Sequence, residues 1–133
     1  MDQLSEFEKG LIDKARDVSR QSYSPYSKFP VGCAIADHKD NVYLGCNVEN
    51  ASYGLSVCAE RNAVFSAISK AGPGMRIKLA VIFTPTLHPT TPCGACRQVF
   101  QEFSDDIRII SACDGDEVFI GRLHELFPDA PQF

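Results

Sequence analysis

The chain has 133 residues, a 44% hydrophobic composition and a formal net charge of -4. That length fits one domain, 1–133, with enough apolar material for a packed core. The acidic balance lacks the basic stripe by which proteins hold a nucleic-acid backbone, so a small ligand is favoured over a polyanion.

Residues 1–10 carry Asp2, Glu6 and Glu8 instead of a basic stretch followed by an apolar run, so no secretory signal is read there. No apolar stretch approaches a bilayer span. Six cysteines in such a chain imply a reducing compartment, where thiols serve as ligands or as small buried hydrophobes. The expectation is a soluble, cytoplasmic protein without a membrane partner.

Ser5-Glu6-Phe7-Glu8 has the S-x-x-E form of a capping box, and Leu4, Phe7, Leu11, Ala15 and Val18 recur at steps of three and four. This predicts an amphipathic helix ending near Arg20. Residues 23–30 contain prolines and serines and predict a turning connection, with Phe29 an apolar residue in a polar loop. Residues 31–36 and 42–47 are β-prone and separated by a polar interval, the pattern of a hairpin. Alanine-rich residues 59–71 predict a second helix, stopped by Gly72-Pro73-Gly74.

The continuous apolar run 77–83 has strand length, and a proline- and threonine-rich loop follows to Pro92. Val99, Phe100 and Phe103 lie at helical spacing, so residues 97–103 predict a third helix starting around the Cys93–Cys96 turn. Residues 107–112 and 117–120 predict two more strands parted by Asp114-Gly115-Asp116, with a short helix near 122–127. A strand, helix and strand in one sheet require a crossover, so the expected architecture is a three-layer α/β/α domain with a mixed five-stranded sheet.

The chemistry is carried by Cys58-Ala59-Glu60 and, after a long gap, Pro92-Cys93-Gly94-Ala95-Cys96. Cys93 and Cys96, three apart at a helix start, can place two sulfurs on one zinc ion, and Cys58 can supply the third. Helix N-termini favour thiolates, and both clusters fall at predicted N-termini. Three protein ligands leave the fourth position open, as a hydrolytic zinc site requires. Three thiolates leave a divalent ion with net negative charge, which opposes water ionisation, so Arg61 and Arg97 are expected to offset it from beside the ligands. Glu60 lies too close along the helix to chelate comfortably, but it can take a proton from the attacking water and deliver it to a leaving nitrogen.

C-A-E followed by P-C-x-x-C is a known signature of zinc deaminases. The fuller pattern, with P-C-G-A-C-R-Q, resembles the cytidine deaminase family. Asn47-Val48-Glu49-Asn50-Ala51-Ser52-Tyr53 resembles that family's ribose-binding segment, and residues 25–32 resemble its approach to the first strand. The resemblance implies zinc-dependent deamination of cytidine and deoxycytidine to uridine and deoxyuridine, in pyrimidine salvage. It implies one zinc per subunit, ribose held by Asn47 and Glu49, and Phe29 packed on the pyrimidine. The Ala59 backbone N–H and Glu60 would read the ring edge. The three-cysteine form with Arg61 is similar to the short homotetrameric branch, in which Ala51 and Tyr53 would reach into an adjacent subunit's pocket and a C-terminal phenylalanine would close one. Asn50 would join the substrate-binding residues, or simply shape the turn before the second helix. The ending here departs from the branch's Pro-x-Ala-Phe by an inserted Pro131-Gln132 before Phe133.

Other readings compete. A C-x-x-C pair alone more often means structural zinc or redox chemistry, and a structural site predicts a fourth protein ligand. A deaminase of nucleoside-like antibiotics would share the zinc core without needing Asn47 and Glu49. A polynucleotide deaminase is disfavoured by the acidic composition. Cys33, Cys46 and Cys113 sit among apolar neighbours and read as packing residues, while His38, His88 and His124 read as surface positions.

Overall fold

The computed structural model describes residues 3–131, so Phe133 lies outside the described residues. Helix α1 (Glu6–Ser19) begins at the expected capping box: Ser5 Oγ accepts from Glu8 N at 3.1 Å, and Glu8 Oε1 accepts from Ser5 N at 2.9 Å. Its buried side is Leu11, Ala15 and Ser19. Phe7 is not part of it; its ring remains partly exposed, with the Lys78 ammonium 5.9 Å from its centre.

Five strands follow the order β2-β1-β3-β4-β5, with β1 Gly32–Asp37, β2 Val42–Cys46, β3 Ile77–Phe83, β4 Arg108–Ala112 and β5 Phe119–Arg122. The β1–β2 hairpin, β1–β3 and β4–β5 are antiparallel, whereas β3–β4 is parallel. The sheet is therefore mixed, and the parallel neighbours β3 and β4 are joined by a crossover that contains a helix. Alternating side chains serve two cores. Ala34, Ala36, Leu79 and Val81 pack under α1 with Leu11 and Ala15. Cys33, Ile35, Ile82 and Ile109 face the opposite side, where α2 (Ala59–Ala71), α3 (Gly94–Glu102) and short α4 (Leu123–Leu126) form the third layer.

Helix α2 and strand β3 occupy the predicted residues. Helix α3 starts at Gly94, within the expected Cys93–Cys96 turn, which is its first turn. Strand β5 starts two residues later than expected: the Glu117 carbonyl accepts from the Cys113 thiol at 3.3 Å, which keeps Glu117 in the preceding turn. Among the described residues, no helix is long and apolar enough to cross a membrane.

Candidate active site

The position of α2 is set by a contact that only glycine permits. A Cβ on Gly45 of β2 would lie 2.3 Å from Ala63 N and 2.6 Å from Ala59 O, so helix and strand touch backbone to backbone. This holds the N-terminus of α2, with Cys58 as its N-cap, over the end of the sheet. Cys93 is the N-cap of α3, and neither cap side chain accepts from a backbone N–H of its helix. The sulfurs instead face one another, with Cys58 Sγ 3.9 Å from Cys93 Sγ and Cys93 Sγ 3.4 Å from Cys96 Sγ.

All three sulfurs lie within 4.8 Å of one another, and among the described residues this group has no fourth protein member. Three converging thiols at two helix N-termini fit zinc and leave one coordination position to solvent or substrate. Arg61 Nη2 donates to Cys58 Sγ at 3.4 Å, and the Arg61 Nε is buried with no protein partner. Cys58 is brought down to about 5, first by its hydrogen bond with Cys96, against the effect of burial, and then by the bond and charge of Arg61. Cys96 is driven up, by that same bond with Cys58, by burial and by Glu60. The Arg61 guanidinium beside Cys58 favours a thiolate there.

Glu60 projects from the first turn of α2 and is 6% exposed. Burial raises its carboxyl to about 7, and the neighbouring Cys58 thiolate adds to the rise. Both residues line a cavity of about 240 Å³ with Cys93, Ala59, Phe29, Asn47 and Glu49. That volume is near the small end of ligand pockets, which run from about 300 to 1,000 Å³. Two of the three sequence-predicted metal residues thus meet the proton-transfer and sugar residues in one pocket, with Cys96 buried behind them in the sulfur group.

Asn47 and Glu49 also fold the loop that carries Phe29. The Asn47 Oδ1 accepts from Val31 N at 2.9 Å and from the Ser22 hydroxyl, and its Nδ2 donates to Phe29 O at 2.8 Å. Glu49 Oε1 accepts from Tyr26 N at 3.0 Å and Ser27 N at 3.1 Å, and Oε2 accepts from the Ser27 hydroxyl. The Ser27 bond leads the effects that hold Glu49 below its ordinary value; partial burial opposes it, and the two amides and Lys28 reinforce it. By valence, Asn47 retains one N–H and Glu49 one lone pair on Oε2 for a ligand.

Asn50 and Tyr53 line a second, adjoining cavity of about 520 Å³, which shares Ser27 and Glu49 with the first. Tyr53 is 91% exposed, and Ala51 is exposed beside it. Arg97 requires correction as a neighbour of the sulfurs: its guanidinium donates to Pro92 O at 2.8 Å, Leu126 O at 2.7 Å and Thr91 Oγ1 at 3.4 Å. It fastens the segment before Cys93 to α4. His38, His88 and His124 are exposed and lie outside the sulfur group, while Cys33 and Cys113 are buried and Cys46 is half-buried.

Sequence reasoning missed Ser22 and Ser27, which orient the two polar side chains, and Ile82, Thr84, Thr90 and Thr91, which also line the pocket. Ser27 falls in the 23–30 connection and Ser22 just before it, but only their partners across the fold distinguish them from ordinary turn residues.

Comparison with known proteins agrees with this geometry. Residues 5–112 match the family profile described as cytidine and deoxycytidylate deaminase zinc-binding region. The chain is 42% identical over 115 residues to a cytidine deaminase of Halalkalibacterium halodurans, covering 85% of this chain and 78% of that one. It is 46% identical over 94 residues to a cytidine deaminase of Sporosarcina psychrophila, covering 70% and 67%. The crystal structure of cytidine deaminase from Burkholderia pseudomallei superposes with a TM-score of 0.88 at 38% identity, covering 96% of this chain and 100% of that one. With the profile spanning most of the sequence and the three sulfurs gathered in one cluster, the chain belongs to the cytidine and deoxycytidylate deaminase zinc-binding family.

Proposed function

We propose that this protein hydrolyses the 4-amino group of cytidine and deoxycytidine, consuming water and releasing uridine or deoxyuridine and ammonia, as a step of pyrimidine salvage. The observation that carries this reading is the buried Glu60 carboxyl in the same small pocket as Cys58 and Cys93. Zinc held by Cys58, Cys93 and Cys96 supplies Lewis acidity that makes water nucleophilic at neutral pH. Glu60 takes the proton from the attacking water and passes it to the departing nitrogen. Arg61, donating to Cys58 Sγ, offsets the surplus negative charge of a three-thiolate site.

The remaining pocket residues orient the nucleoside. Phe29 offers an aromatic surface to the pyrimidine, and the Ala59 N–H and Glu60 read its edge. Asn47 donates its spare N–H to a ribose hydroxyl while Glu49 accepts from one, a division of roles that follows from their other hydrogen bonds. Neighbouring copies in a homotetramer are supported by the exposed Tyr53 and Tyr26 that line the second cavity, with Ala51 and Tyr53 reaching into a neighbour's pocket. Six unpaired cysteines, three of them gathered as ligands, fit a cytoplasmic setting.

The decisive experiment mixes purified, zinc-loaded protein with cytidine and follows ammonia and uridine. Equal release of the two, abolished by a chelator and restored by zinc, is the expected result. No turnover of cytidine or deoxycytidine by a protein carrying one zinc per chain would overturn the reading.

A further inference from the structure

One side of the pocket is formed by the loop between β3 and α3, through Thr84, Thr90, Thr91 and the N-cap Cys93. This loop has no regular structure of its own. Inside it, Thr86 Oγ1 donates to His88 O at 2.6 Å, so the 2.8 Å contact between the two threonine hydroxyls must use the hydrogen of Thr84. The chain Thr84 to Thr86 to His88 O therefore runs in one direction and ties the pocket end of the loop to its outer bend.

The outer bend rests on a second element, the turn between β4 and β5. Thr84 N donates to Ala112 O at 3.1 Å and Asp114 N to Thr86 O at 2.8 Å. The buried Cys113 thiol reaches Leu87 O at 3.5 Å and Glu117 O at 3.3 Å, and His88 Nδ1 pairs with Glu117 Oε1 at 2.6 Å. Between these bonds the two backbones touch: a Cβ on Gly115 would sit 2.1 Å from Leu87 O and 3.1 Å from Leu87 C. No side chain could relax that clash, because both atoms belong to backbone. None of the turn's residues lines the pocket.

We propose that the β4–β5 turn is a positioning element for the substrate-facing loop 84–93, acting through the backbone contact of Gly115 and through the Cys113 thiol, whose one hydrogen is shared between Leu87 O and Glu117 O. Parallel pairing of β3 and β4 makes this possible, since both strands end at the same edge of the sheet. The turn holds the register in which Thr90 and Thr91 face the nucleoside. Displacing it shifts a binding surface without touching Glu60 or the helix that carries it. The consequence for catalysis rests on the deaminase reading; the structural coupling does not.

Two variants and two measurements test it. Gly115→Ala should push the Leu87 carbonyl outward, raising KM for cytidine about ten-fold with kcat held within about two-fold. Cys113→Ala should move KM in the same direction by a smaller factor, and Cys113→Ser, which keeps a donor, should restore it. Zinc should remain at one ion per chain in all three. Hydrogen exchange needs no turnover: amides of residues 84–93 should exchange about ten-fold faster in Gly115→Ala or Cys113→Ala, with α2 unchanged. If Gly115→Ala fails to fold, the Cys113 pair decides. Unchanged loop exchange in a folded variant, or unchanged KM in an active one, would overturn the proposal, as would loss of zinc in step with kcat. If cytidine is not turned over at all, the deaminase reading fails while exchange still decides the coupling.

Discussion

Arg61 Nη2 lies 3.4 Å from Cys58 Sγ, so the first cation beside the ligands comes from the same helix as the ligand it faces. One turn of α2 separates the two residues, and the contact is partly buried. Replacing Arg61 with Gln keeps some hydrogen-bonding capacity but removes the charge. We expect zinc affinity to fall by about 10–100-fold, the usual cost of losing a partner of a metal ligand. Competition against a chromogenic chelator measures this directly.

Glu60→Gln separates proton transfer from metal binding. The sulfur group does not include Glu60, so the variant should retain one zinc per chain. Turnover should drop by about 10²–10⁴-fold, the range contributed by a positioned acid or base. Substantial ammonia release from the zinc-loaded variant would remove Glu60 from the proton path.

Ser27→Ala removes the hydroxyl that holds Glu49 Oε2 and leaves the two backbone donors on Oε1. A hydrogen bond to a charged group contributes about 1.5–3 kcal/mol. Some of that is recovered by solvent at this exposed site, so KM for cytidine should rise by about ten-fold or less. Steady-state kinetics should place the change in KM and leave kcat nearly as before.

Gly45→Ala inserts a methyl group against the backbone of α2. Helix and strand must separate, at a cost of about 1–3 kcal/mol or more. Urea unfolding should show a lower midpoint, and activity should fall because Cys58 and Glu60 move with the helix. An alanine variant of wild-type stability would mean that the helix rides on its side chains.

The Glu8–Arg108 ion pair predicts a pH dependence of stability. Arg108 Nε donates to Glu8 Oε2 at 2.7 Å, joining α1 to β4. Burial pushes the Glu8 carboxyl up, but the Arg108 bond and charge together with Ser5 bring it below its ordinary value of 4.5. A depressed carboxyl contributes stability above its unfolded value, and this is lost as pH falls through the lower folded value. Glu8→Gln preserves the capping-box form, so it should be less stable than the native chain at pH 6 by about 1 kcal/mol. The difference should shrink as pH drops below 4.5. Parallel urea titrations of both proteins measure it.

The order and kind of elements were legible because each long one carried its own signal: a capping box and apolar spacing in α1, alanine content and the stop at Gly72 in α2, and a continuous apolar run in β3. Strand β5 was misplaced because four residues carry little pattern and a thiol bond held Glu117 in the turn. At the site, the three cysteines and Glu60 were readable from residue chemistry at fixed spacing. Arg97 was misread because nearness in sequence says nothing of direction, and its donors point to Pro92 and Leu126. Ser27, Thr84 and Thr91 became visible only when loops distant in sequence met around one pocket.

The sulfur cluster also joins two helix ends that are 35 residues apart in the chain. An ion bound there closes a loop as a disulfide would, and a cross-link of that span restricts the unfolded chain by about 3–4 kcal/mol. A zinc ion held by these sulfurs would therefore also fasten the layer formed by α2 and α3, and withdrawing it should loosen that side of the sheet while α1 stays packed on the other.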